Sequence, residues 1–184
     1  MENKNQDRKP ALLVVDVQNG VVSGAHNRGA VIANINTLIT KARSKGIPVI
    51  WVQHFDKHMP VGSFAWEVVP ELIIESGDQR INKRFNSAFE ETNLQEILGE
   101  GQITEVVLVG AQTNWCIRAT AYAALERGYD LTLIGDAHTT EALDLDGGLS
   151  ISAALSIAEL NEVMSWVEYP GRKSQVLKAA DYEF

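Results

Sequence analysis

Residues 11–17 read ALLVVDV, a short apolar run closed by a carboxylate and followed at once by the turn signal Gln18-Asn19-Gly20. A run this short, bounded by turn residues and rich in branched side chains, predicts a strand buried on both faces, as parallel strands are. Three further runs share that character: 47–53, IPVIWVQ; 104–110, TEVVLVG; and 129–135, YDLTLIG. Between the first two, Val31, Ile32, Ile35, Leu38, Ile39 and Ala42 recur at helical spacing over Gly29 to Ser44, and Gly46 with Pro48 stops the helix. Gln79–Lys83 reads as a short strand and Leu94–Leu98 as a short helix. Thr113 or Asn114 is the expected cap of a helix that runs to about Arg127 and closes at Gly128. A helix over 149–160 and a last strand near Val163–Trp166 complete the pattern. Strands alternating with helices need crossover connections, which pack helices on both faces of a parallel sheet. The expected fold is therefore α/β: a three-layer α/β/α sandwich around a mostly parallel, Rossmann-like sheet of about six strands.

With 184 residues, 45% of them hydrophobic, the chain can bury one sizeable core and falls short of two. Residues 1–10, MENKNQDRKP, read as a polar N-terminal extension and 11–184 as a single domain. A net charge of −8 and a pI near 5.0 oppose the attraction to phosphate backbones on which nucleic-acid binding depends, so no nucleic-acid partner is expected. The N-terminus lacks the apolar core of a signal peptide, and no apolar run reaches the roughly 18 residues of a membrane span. A cytoplasmic protein without a membrane partner is the expectation. The stretch from His54 to Asp78, with Pro60, Gly62, Pro70 and Gly77, is too long for an ordinary connection and is expected to roof a pocket.

In open parallel sheets, ligands bind outside the carboxyl ends of the strands. Three unusual residues stand there: Asp16 after ALLVV, Lys83 after Arg80-Ile81-Asn82, and Cys116 at the start of the helix that follows TEVVLVG. Cys116 is the sole cysteine, so no internal disulfide is possible and the thiol is a candidate nucleophile. A free thiol, with a pKa of about 8.5, is mostly protonated at neutral pH and must be activated before it attacks a carbonyl. Asp16 can take the proton and Lys83 can stabilise the thiolate. A helix N-terminus adds partial positive charge, so the expectation is a thiol more acidic than usual.

These segments together resemble those of the isochorismatase-like cysteine hydrolases, a family that includes nicotinamidases, N-carbamoylsarcosine amidases and isochorismatases. Val14-Val15-Asp16-Val17-Gln18 resembles the family's first catalytic segment, and Asn82-Lys83-Arg84-Phe85-Asn86-Ser87-Ala88-Phe89 the segment supplying the lysine and aromatic pocket residues. Gly110-Ala111-Gln112-Thr113-Asn114-Trp115-Cys116 resembles the nucleophile segment, and Gly135-Asp136-Ala137 the acidic turn after the next strand. The likeness covers roughly Ala11 to Ala158. It implies a Cys116, Asp16, Lys83 triad, a cis peptide between Ala111 and Gln112, and an oxyanion hole made by the backbone amides of Gln112 and Cys116. It further implies hydrolysis of a small amide or carbamoyl compound through a thioester, without a cofactor, in a homo-oligomer, dimer or tetramer.

Around that centre, Gln18, His54, Trp66, Phe85, Phe89 and Trp115 are the candidate substrate-pocket residues, because aromatic side chains supply much of the burial of small planar ligands. Core packing is the alternative for each aromatic. His54, Asp56 and His58 have a spacing that could serve one metal ion. Nicotinamidases place an aspartate first and a histidine two residues later, whereas this chain reads Gln53-His54-Phe55-Asp56, so no bound metal is expected. His138 also falls at a strand's carboxyl end, where contact with substrate or a neighbouring subunit is open. Two other functions stand as alternatives to amide hydrolysis. One is hydrolysis of a vinyl ether such as isochorismate, with Asp16 as the acid and no nucleophile. The other is a nucleotide- or flavin-binding domain, but neither the turn after Val15 nor that after Val109 offers a G-x-G-x-x-G phosphate cradle.

Overall fold

The apolar runs pair as parallel strands in a computed structural model that describes residues 8–184. In chain order the elements are β1 (Pro10–Val15), α1 (Asn19–Val22), α2 (Arg28–Ser44), β2 (Val49–His54), β3 (Gln79–Lys83), α3 (Leu94–Glu100) and β4 (Glu105–Ala111). A π-helical turn (Thr113–Ile117), α4 (Arg118–Glu126), β5 (Asp130–Thr139), the hairpin strands β6 (Leu143–Asp144) and β7 (Ser150–Ile151), α5 (Ala153–Trp166) and β8 (Ser174–Leu177) follow. β1 takes in Pro10, the last residue of the expected extension; residues 1–7 lie outside the described residues. No helix among the described residues is long and apolar enough to cross a membrane.

Six strands form one sheet in the order β3-β2-β1-β4-β5-β8, all pairs parallel. Each residue of β1 and β4 is buried, since both lie inside the sheet and helices cover both faces. One face packs Leu12, Val14 and Trp51 against Ile35, Leu38 and Ile39 of α2. The other packs Leu13, Val15 and Leu108 against α3, α4 and α5. Each fully buried Leu, Ile or Val side chain contributes about 1.5–3 kcal/mol relative to exposure, so these two clusters hold the layers together.

Two elements at the C-terminal end differ from the sequence expectation. The segment Val163–Trp166 is not a strand but the last turn of α5, because Ala153, Ser156, Leu160 and Met164 continue one buried helical stripe. α5 starts at Ala153, later than expected, where the Ser152 hydroxyl accepts the Leu155 amide at 3.2 Å. The sixth strand is Ser174–Leu177, a partly exposed edge strand whose sequence, SQVL, lacks the apolar run of a central strand. β5 also runs past its expected end. Leu108 pairs with Leu133 but Gly110 pairs with His138, so five steps along β5 match two along β4, and Gly135, Asp136 and Ala137 bulge out.

The strand order reverses between β1 and β4, since the chain builds leftward from β1 through β2 and β3 and rightward from β4 through β5 and β8. That reversal is where a crevice opens at the carboxyl ends of the strands. The two strands close tightly there: Gly110, at φ +122°, lies opposite Val15, and a Cβ at position 110 would stand 2.0 Å from the Val15 carbonyl oxygen. Backbone on one side and a disfavoured φ on the other leave no room to adjust. Gly110→Ala is therefore expected to destabilise the fold by at least ~3 kcal/mol, read as a lower denaturant midpoint. An unchanged midpoint would mean that the strands can separate freely at this point.

Candidate active site

Asp16 is the first residue beyond β1, and its backbone turns into the left-handed region at φ 52° while its amide donates to Val52 O at 2.8 Å. Aspartate tolerates this conformation better than most residues, but such a turn is uncommon and recurs at functional sites. Lys83 ends β3, in register with His54 at the end of β2. Cys116 lies in the π-helical turn after β4, where the Ile117 amide reaches back five residues to Gln112 O at 3.2 Å. Such wide turns are frequent at functional sites. The Ala111–Gln112 peptide just ahead of it is cis.

The three side chains meet at the crevice. Lys83 Nζ donates to Asp16 Oδ2 at 2.6 Å and to Cys116 Sγ at 3.2 Å, with a third bond to Phe85 O at 3.2 Å. These bonds use all three ammonium protons. Asp16 and Lys83 are each only 1% exposed, and a buried charge of either sign is tolerated only when paired in this way. Asp16 Oδ1 is buried and accepts no hydrogen bond of normal geometry among the described residues. Yet the thiol is near enough that carboxylate and sulfur each shift the other's acidity.

The electrostatics correct one expectation. Burial, and then the Asp16 carboxylate, push the Cys116 thiol up to about 12, with Lys83 opposing them. The resting sulfur thus holds its proton; the helical turn's partial charge does not overcome desolvation and a neighbouring anion. Burial also raises Asp16, against the pull of Lys83 and the thiol. One negative charge and one proton are therefore shared between carboxylate and thiol beside a fixed ammonium, a coupled pair ready for proton transfer.

The structure distributes the six pocket candidates differently. His54 lies within electrostatic reach of Asp16, the Phe85 carbonyl accepts Lys83 Nζ, and Trp115 directly precedes Cys116; the Phe85 and Trp115 side chains are 45% and 48% exposed. Gln18 is wholly buried and fully committed to the 54–78 segment. Its Nε2 donates to His54 O at 2.9 Å and Trp66 O at 2.7 Å, and its Oε1 accepts the His54 amide at 2.8 Å. It anchors the loop rather than offering a free polar group. The Trp66 ring lies beside the Arg80 guanidinium, 5.6 Å away, and Arg80 projects from the face of β3 opposite Lys83. Phe89 is 6% exposed, stacks on Tyr129 and carries the Arg127 guanidinium over its ring, which makes it core.

His54 Nε2 lies 3.8 Å from Asp56 Oδ2, but Asp56 Oδ1 accepts the amides of His58 at 2.7 Å and Met59 at 2.8 Å. Those amides hold Asp56 below the usual carboxylate range, and the residue serves the loop's turn. Among the described residues no group of three His, Cys, Asp or Glu side chains gathers as a metal site would. Sequence reasoning missed what holds the nucleophile turn. Thr113 and Asn114 do not cap a helix; the Thr113 hydroxyl meets His138 Nδ1 at 2.8 Å, and Asn114 Oδ1 accepts the Thr140 hydroxyl at 2.6 Å. His138 is 1% exposed with both ring nitrogens engaged, and it borders a cavity walled by His26, Asn34 and Asn161 whose lining does not include Cys116. The three-residue bulge in β5, invisible as such in the sequence, is what brings it level with Gly110.

Comparison with known proteins adds to this geometry. Residues 10–159 match the isochorismatase domain model. The probable inactive nicotinamidase of Arabidopsis thaliana is 34% identical over 75% of this chain and 88% of its own length. A streptothricin hydrolase of Streptomyces noursei is 31% identical over 85% of this chain, which spans only 58% of that longer protein. The crystal structure of an isochorismatase from Pseudomonas putida KT2440 superposes with a TM-score of 0.84 at 28% identity, covering 94% of this chain and 89% of the other.

One outcome tests the electrostatic coupling directly. Asp16→Asn removes a cause that raises the thiol and leaves the Cys116 thiolate as the anion that can pair with the buried Lys83, so the Cys116 titration midpoint should fall. Because alkylation goes through the thiolate, each unit of fall raises the thiolate population at pH 8 about tenfold and, after the weaker nucleophilicity of a less basic sulfur, speeds iodoacetamide labelling about threefold. A labelling rate equal to or below that of the native chain would show that the two groups are not coupled.

Proposed function

The chain belongs to the isochorismatase family of hydrolases, and from that premise we propose that it hydrolyses a small amide or carbamoyl compound through Cys116, Asp16 and Lys83 with a thioester intermediate. The observation that carries the proposal is the single ammonium bridging a buried carboxylate and a thiol at the reversal of strand order. The name of one relative, a streptothricin hydrolase, supports hydrolysis of a small nitrogenous compound, whereas the nicotinamidase relative is named as probably inactive and lends no support to turnover.

Asp16 takes the thiol proton through its unbonded Oδ1, and the sulfur, now an anion beside Lys83, attacks the substrate carbonyl carbon. The oxyanion accepts hydrogen bonds from the backbone amides of Gln112 and Cys116. Asp16 then gives its proton to the departing nitrogen as the C–N bond breaks, leaving an acyl thioester and free ammonia or amine. A water molecule gives a proton to Asp16 and attacks the thioester, the sulfur leaves, and the proton returns to it as the acid product departs. Burial suits Asp16 to both halves: a raised carboxylate is a stronger base than an ordinary one, and an amide nitrogen cannot leave unprotonated. His54, Phe85 and Trp115 form the wall of the mouth, where exposed aromatic faces suit a planar substrate. Self-association into a dimer or tetramer belongs to the same proposal, and the exposed Leu149 and Leu155, 67% and 60% accessible, favour it.

A second reading has one observation in its favour. The raised Asp16 could act as an acid on a vinyl ether such as isochorismate, a reaction that needs no nucleophile. Cys116→Ala separates the two. For amide hydrolysis, ammonia release across a panel of small amides and carbamoyl compounds should drop by roughly ten-thousand-fold, whereas isochorismate turnover would survive the substitution and support the second reading. The pH profile gives an independent check. Asp16 must be ionised to accept the thiol proton, and its pKa is raised, so kcat/KM falls with decreasing pH along a limb centred above about 4, the ordinary carboxylate value. A limb at or below that value would remove Asp16 as the base.

A further inference from the structure

The turn that carries Cys116 begins without a side-chain cap, and what replaces the cap is a chain of polar groups from two other elements, buried at His138 and half-buried at Asn161. Asn161, on α5, donates from Nδ2 to Gly135 O at 3.0 Å, which fixes its amide so that Oδ1 faces His138 Nε2 at 2.9 Å. His138 Nε2 must therefore hold the ring proton, and Nδ1 is left as an acceptor for the Thr113 hydroxyl at 2.8 Å. Burial pushes His138 down to about 4, so the ring stays neutral at pH 7 and this direction of donation is the one present. Thr113, 0% exposed, opens the π-helical turn, and its carbonyl accepts the Arg118 amide that closes it.

Gly135 makes the arrangement possible. A Cβ there would stand 3.0 Å from Asn161 Nδ2, 3.1 Å from its Oδ1 and 2.8 Å from Val176 Cγ1, so the missing side chain is the slot that admits the amide. The β5 bulge supplies the other half, by setting His138 level with Gly110. An apolar trio of similar size would fill the same volume, but it would not fix the rotation of the turn, which polar bonds with one allowed direction do.

We infer that Asn161, His138 and Thr113 are positioning residues that act in series to hold the Cys116 sulfur against the Lys83 and Asp16 pair. The inference rests on the reading of Cys116 as the nucleophile. Displacing a reacting atom by about 1 Å can cost on the order of 100-fold in rate, so the chain acts on kcat and not on substrate affinity. The test uses Thr113→Val, which keeps the shape and deletes the hydroxyl, Thr113→Ser, which keeps the hydroxyl, and Gly135→Ala, which leaves every bonding group in place but crowds Asn161 out of its slot. Two readouts are taken at a temperature where each variant is folded by circular dichroism. One is kcat and KM on whichever amide of the panel the native chain turns over; the other, independent of substrate, is the rate of iodoacetamide labelling at pH 8.

With the sulfur released from the anionic carboxylate and the buried cleft, Thr113→Val and Gly135→Ala should label about tenfold faster or more and lose 10- to 100-fold in kcat, with KM within about threefold. Thr113→Ser should stay within about threefold of the native chain on both readouts. Equal behaviour of the Val and Ser variants, or native kcat and labelling in Thr113→Val, overturns the positioning role. If Cys116→Ala is inactive while Thr113→Val matches the native chain, this inference alone fails; if Cys116→Ala remains fully active, the nucleophile reading falls and takes this inference with it.

Discussion

A lysine ammonium buried between a carboxylate and a thiol is the constraint that organises this molecule. Neither Asp16 nor Lys83 could stay ionised at 1% exposure alone, since an unpaired buried charge costs several kcal/mol even after relaxation. Each is admissible only because the other is 2.6 Å away. The pair must therefore form for the strand ends to close, and closing them delivers the thiol to the ammonium's remaining proton. Stability and chemistry share one contact here, and neither can be altered without the other.

The fold serves that contact by proximity of backbone. β1 and β4 are neighbours only because the winding reverses between them, and Gly110 lets their ends approach until no side chain fits between them. β3 contributes from two strands away, which suits the reach of a lysine and would not suit a shorter side chain. Rigid strands thus supply two of the three groups, and the third comes from a turn held by side chains.

Much of this was legible in the sequence. ALLVVDV, IPVIWVQ and TEVVLVG announce buried parallel strands, and Asp16, Lys83 and Cys116 are conspicuous because charge or reactive sulfur at a strand's carboxyl end demands a partner. What stayed hidden has physical reasons. Ser174–Leu177 is an edge strand with one side open, so it needs no apolar run, whereas Val163–Trp166 looks strand-like only until its place on the buried stripe of α5 is seen. The β5 bulge breaks strand periodicity and conceals the continuation to His138. The thiol's acidity was misjudged because desolvation depends on how deeply a side chain is buried, which no spacing reveals. Gln18 and Phe89 were plausible pocket groups by composition, and only their partners show that one fastens a loop and the other fills the core.

The fastening by Gln18 divides the 54–78 segment into a fixed part and a looser one. Three bonds from one buried amide clamp the long segment at His54 and Trp66, and the Asn19 and Gly20 amides add Glu67 and Ala65 at 2.9 and 2.8 Å. Inside that segment Phe64 O accepts Asn19 Nδ2 at 3.0 Å and the Phe55 amide donates to Lys83 O at 3.0 Å, so the stretch that can change with least pull on the reactive centre is 56–62. The rim of the cleft can thus be re-cut over a few residues while the anchor points on either side stay where they are.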